Sequence, residues 1–367
     1  MAVAMKSDLY IDALTFRFGK AFGYNEYLMN LLDFFYECRD SLKFSDITIV
    51  CESSQEKYFQ KYCDRFKIRS FRFPTFFHRA LHQCFWNMES GIKKNDVVLC
   101  TANYAPFFKR GKEVLVIHDL LFRHKKLNRR LPLVWRLQRH LFVPRSIFRA
   151  DKIIAISNFT RAEIKKYYKK EEEVEVVYNS FKFEKFENSN EGRNAMRDYI
   201  IVVSSSASHK RIEFILRAFA RYRGMRGRLN LVIIGRIESN PEAMKVYEGL
   251  PEEVRSSITV VHGLSEMELS GMYSRARLYL SASLYEGLGM PIVEAMCCSL
   301  PIVLPDSPLI FKEVTNGNAI FFDSSSEGSL AETLLASEEM GKVHYNMDRF
   351  SKENTSKRYI ELLNGFC

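Results

Sequence analysis

The chain has no C-x-x-C pair among its eight cysteines, at positions 38, 51, 63, 84, 100, 297, 298 and 367. Zinc and disulfide frameworks need paired or regularly spaced thiols, so neither is expected, and a reducing compartment fits best. No apolar run approaches the ~18 residues that a membrane-spanning helix needs. The N-terminus, MAVAMKSDLYIDAL, lacks the charged-then-apolar order of a signal peptide and runs directly into an expected strand. Low-complexity tracts are absent as well. No Asp-x-Asp occurs anywhere, so that carboxylate pair for Mg²⁺ or Mn²⁺ is missing.

What is present is globular: 367 residues, 47% hydrophobic and 27% charged. That length exceeds one ordinary core, and two domains of about 150–200 residues are expected. The net charge of +10 is unevenly spread. Between residues 101 and 170, 18 Lys plus Arg stand against 4 Asp plus Glu. Much of this excess lies in RHKKLNRRLPLVWRLQRHLFVPR (123–145), where cations mix with leucines, valines and a tryptophan. A solvated helix face and attraction to an anionic membrane surface both produce such a stretch. Nucleic acid is not expected, because no helix-turn-helix, zinc-finger or ribonucleoprotein motif accompanies the charge.

Short β-branched runs alternate with helical patterns along the whole chain. The first half predicts strands at 9–14, 46–51, 96–101, 113–119, 152–157 and 174–179. The second half predicts them at 199–205, 229–235, 257–263, 277–283, 300–305 and 319–322. Near-continuous apolar runs of this length suit parallel strands covered on both faces. Ile212, Ile215, Leu216 and Phe219 fall at i, i+3, i+4 and i+7, the spacing of an amphipathic helix. The polar segment EKFENSNEGRNAMRD (184–198) breaks the alternation and reads as a linker. The expected organisation is α/β, with Rossmann-like domains at 1–183 and 199–350, and a final helix at 351–367 able to return to the first domain. Ligands of such sheets bind beyond the carboxyl ends of the strands, here an expected interdomain cleft. Ser157, His118 and Glu286 each terminate or follow a predicted strand.

One stretch combines several chemical possibilities. In YEGLGMPIVEAM (285–296), Gly287 and Gly289 let backbone N–H groups approach a ligand closely. Pro291 suits the first position of a helix, whose N-terminus attracts an anion such as a diphosphate. Glu294 then lies about one turn into that helix and could accept hydrogen bonds from a diol such as a ribose. The bland alternative is a strand-to-helix connection carrying two solvated acids.

The segment SASLYEGLGMPIVEAMCCSLPIVLPDSPLIFKEV resembles the signature of retaining glycosyltransferase family 4, with its Glu-x7-Glu motif at Glu286 and Glu294. The resemblance runs through nearly the whole chain in the family's order. VVHGLSEMELSGMYSRARLYLSAS is similar to the strand, glycine and acidic helix that precede the motif. VVSSSASHKRIEFILRAFA resembles the segment whose lysine, here Lys210, meets the donor diphosphate. VLVIHDL resembles the His-Asp-Leu of mannosyltransferase-like members. ADKIIAISNFTRAEIKKYY and VEVVYNS resemble the serine strand-helix and the run toward the linker. FGYNEYLMNLL (22–32) occupies the place of the phosphate-touching glycine loop. One departure concerns charge: Ser204-Ser205 stands where many members carry Gly-Arg, leaving Arg211 or Arg236 to compensate.

The resemblance implies a GT-B fold of two Rossmann-like domains facing across a cleft, and a retaining, metal-independent hexosyltransferase with no cofactor beyond its donor. His118, Lys210 and Glu286 are the catalytic residues it implies. Donor contacts fall on Gly23, Ser205, Lys210, Arg211, Arg236, Gly263, Leu264, Glu286, Gly287, Leu288, Gly289, Met290 and Glu294. His118 would contact the transferred sugar, and Asp119 would fix its surroundings. The expected donor is a nucleotide diphosphate sugar, with GDP-mannose favoured by the His-Asp-Leu resemblance. The expected acceptor is a growing surface glycan on a lipid carrier, at the cytoplasmic face of the membrane. Two other functions fit the same architecture: a GT-B sugar epimerase, and a catalytically silent nucleotide-binding scaffold of a glycan assembly complex.

Overall fold

The computed structural model describes residues 7–18, 23–73, 85–88, 91–124, 127, 133–187 and 198–367. Two compact units emerge. The first comprises the described residues of Met1–Arg123, Leu131–Phe181 and Asp348–Cys367, and the second those of His124–Arg130 and Lys182–Met347. Most of the linker expected at 184–198 lies outside the described residues. Its first residues, Glu184–Glu187, form a short helix packed against two helices of the second unit, Glu266–Arg275 and Met290–Cys297.

Each unit is built on one parallel sheet. The first contains β1 (Leu9–Asp12), β2 (Ile47–Glu52), β3 (Lys67–Phe71), β4 (Val97–Cys100), β5 (Lys112–Ile117), β6 (Lys152–Ala155) and β7 (Val174–Val176), in the order 3-2-1-4-5-6-7. The second contains β8 (Tyr199–Val203), β9 (Asn230–Ile234), β10 (Ile258–Val261), β11 (Leu278–Leu280), β12 (Ile302–Pro305) and β13 (Ile320–Phe322), in the order 10-9-8-11-12-13. In both sheets the order reverses beside the first strand, between β1 and β4 and between β8 and β11. Doubly wound sheets open a crevice at such a switch point, beyond the carboxyl ends of the strands.

All twelve expected strands form, and β3 is an addition. Its sequence, Lys-Ile-Arg-Ser-Phe, interrupts the apolar run with two cations, because this strand lies at the sheet edge and, among the described residues, pairs only with β2. Charged edge strands resist pairing with other chains. Central strands instead bury both faces: β4 carries Val97, Val98, Leu99 and Cys100, all fully buried. In the second unit Ile212, Ile215, Leu216 and Phe219 of the helix Ile212–Gly224 enter one core with Ile200, Leu231, Leu278 and Val303. The final helix, Lys352–Asn364, joins the first unit by packing on the helix Gly23–Glu37. No disulfide joins the described cysteines.

Candidate active site

In the second unit, residues from four adjacent strands reach the carboxyl edge of the sheet. After β8 the chain turns through Ser208–Lys210, and Arg211 takes a left-handed conformation (φ 54°) before its helix begins. The backbone N–H of Leu284, in the loop after β11, donates to His209 carbonyl at 2.8 Å. That bond draws the loop onto the turn, and Lys210 Nζ forms an ion pair with Glu286 Oε1. The pair therefore spans the switch point between β8 and β11.

Gly289 sets the direction of the next helix. Its φ of 88° is one that side chains avoid, and a Cβ there would lie 2.9 Å from Ile292 Cδ1. The chain can thus fold tightly into the helix Met290–Cys297, with Pro291 in its first turn where no N–H donor is missed. Gly287 is half-buried, Leu288 is buried and Met290 is half-buried. Glu294, 9% exposed, sits on this helix. Burial and the Glu294 carboxylate push the Tyr273 hydroxyl well above its ordinary pKa. Tyr279 on β11 is raised too, by burial first and then by the carboxylates of both Glu286 and Glu294. The two motif glutamates therefore act on one tyrosine, although they stand eight positions apart.

Arg236 and Gly263-Leu264 follow β9 and β10 along the same edge. A Cβ on Gly235 would lie 2.1 Å from Ser204 carbonyl oxygen, so the ends of β8 and β9 approach as only glycine permits. Arg236 is exposed there and has no ion-pair partner among the described residues; Ser205 is also exposed. Arg211 is directed elsewhere: its guanidinium lies 3.7 Å from the Phe214 ring centroid and donates to Ser324 carbonyl at 2.7 Å. Gly263 (φ 74°) precedes Ser265, whose capping box with Glu268 starts the helix Glu266–Arg275.

In the first unit His118 follows β5. Its backbone N–H donates to Asn103 Oδ1 at 2.6 Å, and ring Nε2 donates to Thr101 carbonyl at 2.7 Å. Because a carbonyl only accepts, Nε2 bears the proton and Nδ1 is left as the acceptor of the neutral ring. Burial pulls the imidazole below its ordinary pKa, opposed by the Thr101 bond and the Asp119 charge. Asp119 Oδ1 accepts from the N–H of Leu121 at 3.0 Å, holding the turn. Tyr24 and Tyr27, from one face of the helix Gly23–Glu37, stand edge-on to His118. Gly23 opens that helix and is exposed; residue 22, the first of the segment expected at the place of the glycine loop, lies outside the described residues. Ser157 caps the helix Asn158–Tyr168, its hydroxyl accepting from the N–H of Thr160 at 3.1 Å.

The basic stretch divides by role. Arg149 pairs with buried Glu113, Arg145 lies over Phe107, and Arg123 lies over Tyr167 and Tyr168. These three cations are structural. On the helix Leu133–Arg149, Leu137 and Leu141 are each 61% exposed and Phe148 is 59% exposed. Residues 125–126 and 128–132 lie outside the described residues.

Residues 183–354 match the family described as Glycosyl transferases group 1, and residues 45–185 match Glycosyltransferase Family 4. Each half of the chain thus matches a glycosyltransferase family. Among its relatives, the O-antigen chain mannosyltransferase RfbU of Salmonella typhimurium is 24% identical over 64% of this chain and 63% of its own. An MMP alpha-(1->4)-mannosyltransferase of Mycolicibacterium hassiacum is 34% identical over 31% of this chain and 26% of its own. The chain thus aligns with less than two thirds of either relative. HepE of Anabaena, solved with UDP and glucose, superposes with a TM-score of 0.68 at 14% identity, covering 98% of this chain and 100% of that one. Its likeness establishes the GT-B fold, with its two Rossmann-like units.

Tyr24, Tyr27, Thr101 and Asn103 around His118, and Tyr273 and Tyr279 beside the glutamates, escape the sequence reading. Only the i, i+3 spacing of Tyr24 and Tyr27 was a signal, and that spacing is equally a core pattern.

Proposed function

We propose that this chain is a retaining, metal-independent glycosyltransferase that moves a hexose from a nucleotide diphosphate sugar to a lipid-linked surface glycan. The observation that carries the reading is the Lys210–Glu286 pair at the β8/β11 switch point, beside the helix N-terminus at Met290. Lys210 and that N-terminus would stabilise the departing diphosphate, the group on which charge accumulates. Glu286 would bind hydroxyls of the transferred hexose, and Glu294 those of the ribose. His118 Nδ1, as an acceptor, would orient the transferred sugar. Arg236 is favoured over Arg211 to replace the missing guanidinium, since Arg211 is already committed to Phe214 and Ser324.

Mannose from GDP-mannose is the proposed donor, supported by the mannosyltransferase relatives. The neighbour solved with UDP and glucose supports a nucleotide-sugar donor as a class. No helix among the described residues is long and apolar enough to cross a membrane. The proposed setting is the anionic face of a membrane, reached through the basic first unit and its exposed Leu137, Leu141 and Phe148.

A thermal-shift panel of GDP, UDP, dTDP and ADP sugars, followed by transfer to a lipid-linked glycan, tests this. GDP-mannose should raise Tm most, because ligand binding to the native state stabilises it by RT ln(1 + [L]/Kd). The product should keep the donor's anomeric configuration, and transfer should survive EDTA. Inversion at the anomeric carbon, or activity restored only by Mn²⁺, would overturn the mechanism.

A further inference from the structure

A chain of buried contacts connects His118 to the far end of the sequence. The Tyr27 ring centroid lies 4.7 Å from that of His118 at an interplanar angle of 80°, and Tyr24 lies at 5.7 Å and 79°. Tyr24 hydroxyl is 2.8 Å from the hydroxyl of Thr101, whose carbonyl receives the His118 Nε2 proton. Tyr27, 4% exposed, places its own hydroxyl 2.6 Å from that of Tyr359, 332 residues away.

Tyr359 is fully buried on the helix Lys352–Asn364, with Phe35 edge-on at 6.0 Å. Both ends of this helix are tied to the first unit. Lys352 pairs with Glu37, while Asn364 donates to Ser41 carbonyl at 2.8 Å and accepts from the N–H of Lys43 at 2.9 Å.

We infer that Tyr359 is a positioning residue: its hydroxyl pins the tip of Tyr27, whose ring fixes the plane of the His118 imidazole. The inference rests on the reading of His118 as a donor-sugar contact. An edge-on ring constrains its neighbour only while its own tilt is held. For Tyr27 the buried hydroxyl bond supplies that hold, since breaking it would leave a buried phenol unsatisfied. Burial keeps both phenols protonated far above neutral pH, so the bond is a constant restraint and not a switch. Among the described residues, Tyr24, Thr101 and Asp119 also act on the imidazole, while Asn103 accepts from the His118 backbone N–H. None of them comes from the C-terminal helix. The last helix thus reaches the sugar-binding end of the first sheet without touching it.

The test uses the full chain with ¹⁵N-labelled histidine, the His118 signals being assigned by their loss in His118→Ala. Tyr27→Phe and Tyr359→Phe keep both rings and remove one hydroxyl each. Both variants should shift the His118 nitrogen resonances. Each should also lower kcat for transfer about three- to tenfold with donor KM unchanged. The double variant should be no worse than either single one, because both remove the same bond. A lowered Tm with unchanged His118 resonances in both variants would overturn the inference and leave Tyr359 a core residue. Shifted resonances together with full transfer by His118→Ala would sustain the positioning and overturn the role of His118.

Discussion

Lys210 and Glu286 are 76 residues apart in the chain and form an ion pair where the second sheet reverses its strand order. Their side chains are 16% and 15% exposed, so the pair is largely desolvated yet reachable. Removing one partner leaves the other charge uncompensated, which costs more than the pair contributes. Lys210→Met should therefore lower kcat/KM about ten- to a hundred-and-fifty-fold, the worth of one hydrogen bond to a charged group. The Lys210→Met/Glu286→Gln double variant should lose less than the sum of the singles, measured by steady-state kinetics, because the side chains touch.

The two motif glutamates should separate kinetically. Glu294 is assigned to the ribose, which is unchanged during transfer, so Glu294→Gln should chiefly raise donor KM. Glu286 is assigned to the hexose, which gains positive charge as its bond breaks, so Glu286→Gln should chiefly lower kcat. Each loss should be roughly ten- to a hundred-and-fifty-fold. The reverse pattern would exchange the two roles.

Arg236 and Arg211 should also behave differently. Arg236→Met removes an exposed cation at the carboxyl end of β9 and should raise donor KM about tenfold, with Tm unchanged. Arg211→Met removes the contacts to Phe214 and Ser324 and should chiefly lower Tm. Equal donor KM in Arg236→Met and the wild type would remove Arg236 from the site.

Vesicle binding should combine charge and apolar contact. Affinity for anionic vesicles should fall as salt shortens the Debye length from about 10 Å at 0.1 M to about 3 Å at 1 M. Replacing exposed Leu137, Leu141 and Phe148 by serine should weaken what remains at high salt. Equal sedimentation with neutral and anionic vesicles would leave the basic stretch as a solvated face.

Buried Asp12 should make stability depend on pH. Burial raises its carboxyl from 3.8 to about 6, against a hydrogen bond from the N–H of Leu14 at 3.0 Å. The folded state holds this proton more tightly than the unfolded state. The stabilisation is therefore fully present below about pH 4 and is lost as pH rises through about 6. Asp12→Asn keeps an acceptor for Leu14 and carries no charge. Chemical denaturation should show the variant gaining on the wild type by up to about 3 kcal/mol between pH 4 and pH 8. Identical pH profiles would exclude the assignment.

Twelve of the thirteen strands among the described residues were legible because buried parallel strands need apolar residues on both faces, and that requirement is written locally in runs such as Val97–Cys100. Strand β3 was not legible, since an edge strand can carry Lys67 and Arg69. The glycine turn was likewise readable, because Gly289 at φ 88° answers a backbone demand that few other residues meet.

By itself, then, the sequence determined what depends on neighbours along the chain: strand positions, helix starts, the Gly287-Leu288-Gly289 turn and the two glutamates beyond β11. Tertiary structure decided which distant side chains meet. Tyr359 reaches Tyr27, Lys210 takes Glu286 as its partner, and Arg211 turns to Ser324 while Arg236 stays exposed. The physical reason is that local geometry follows from short-range sterics and periodicity, whereas a buried hydroxyl or charge selects its partner only after the sheets have brought separate segments together.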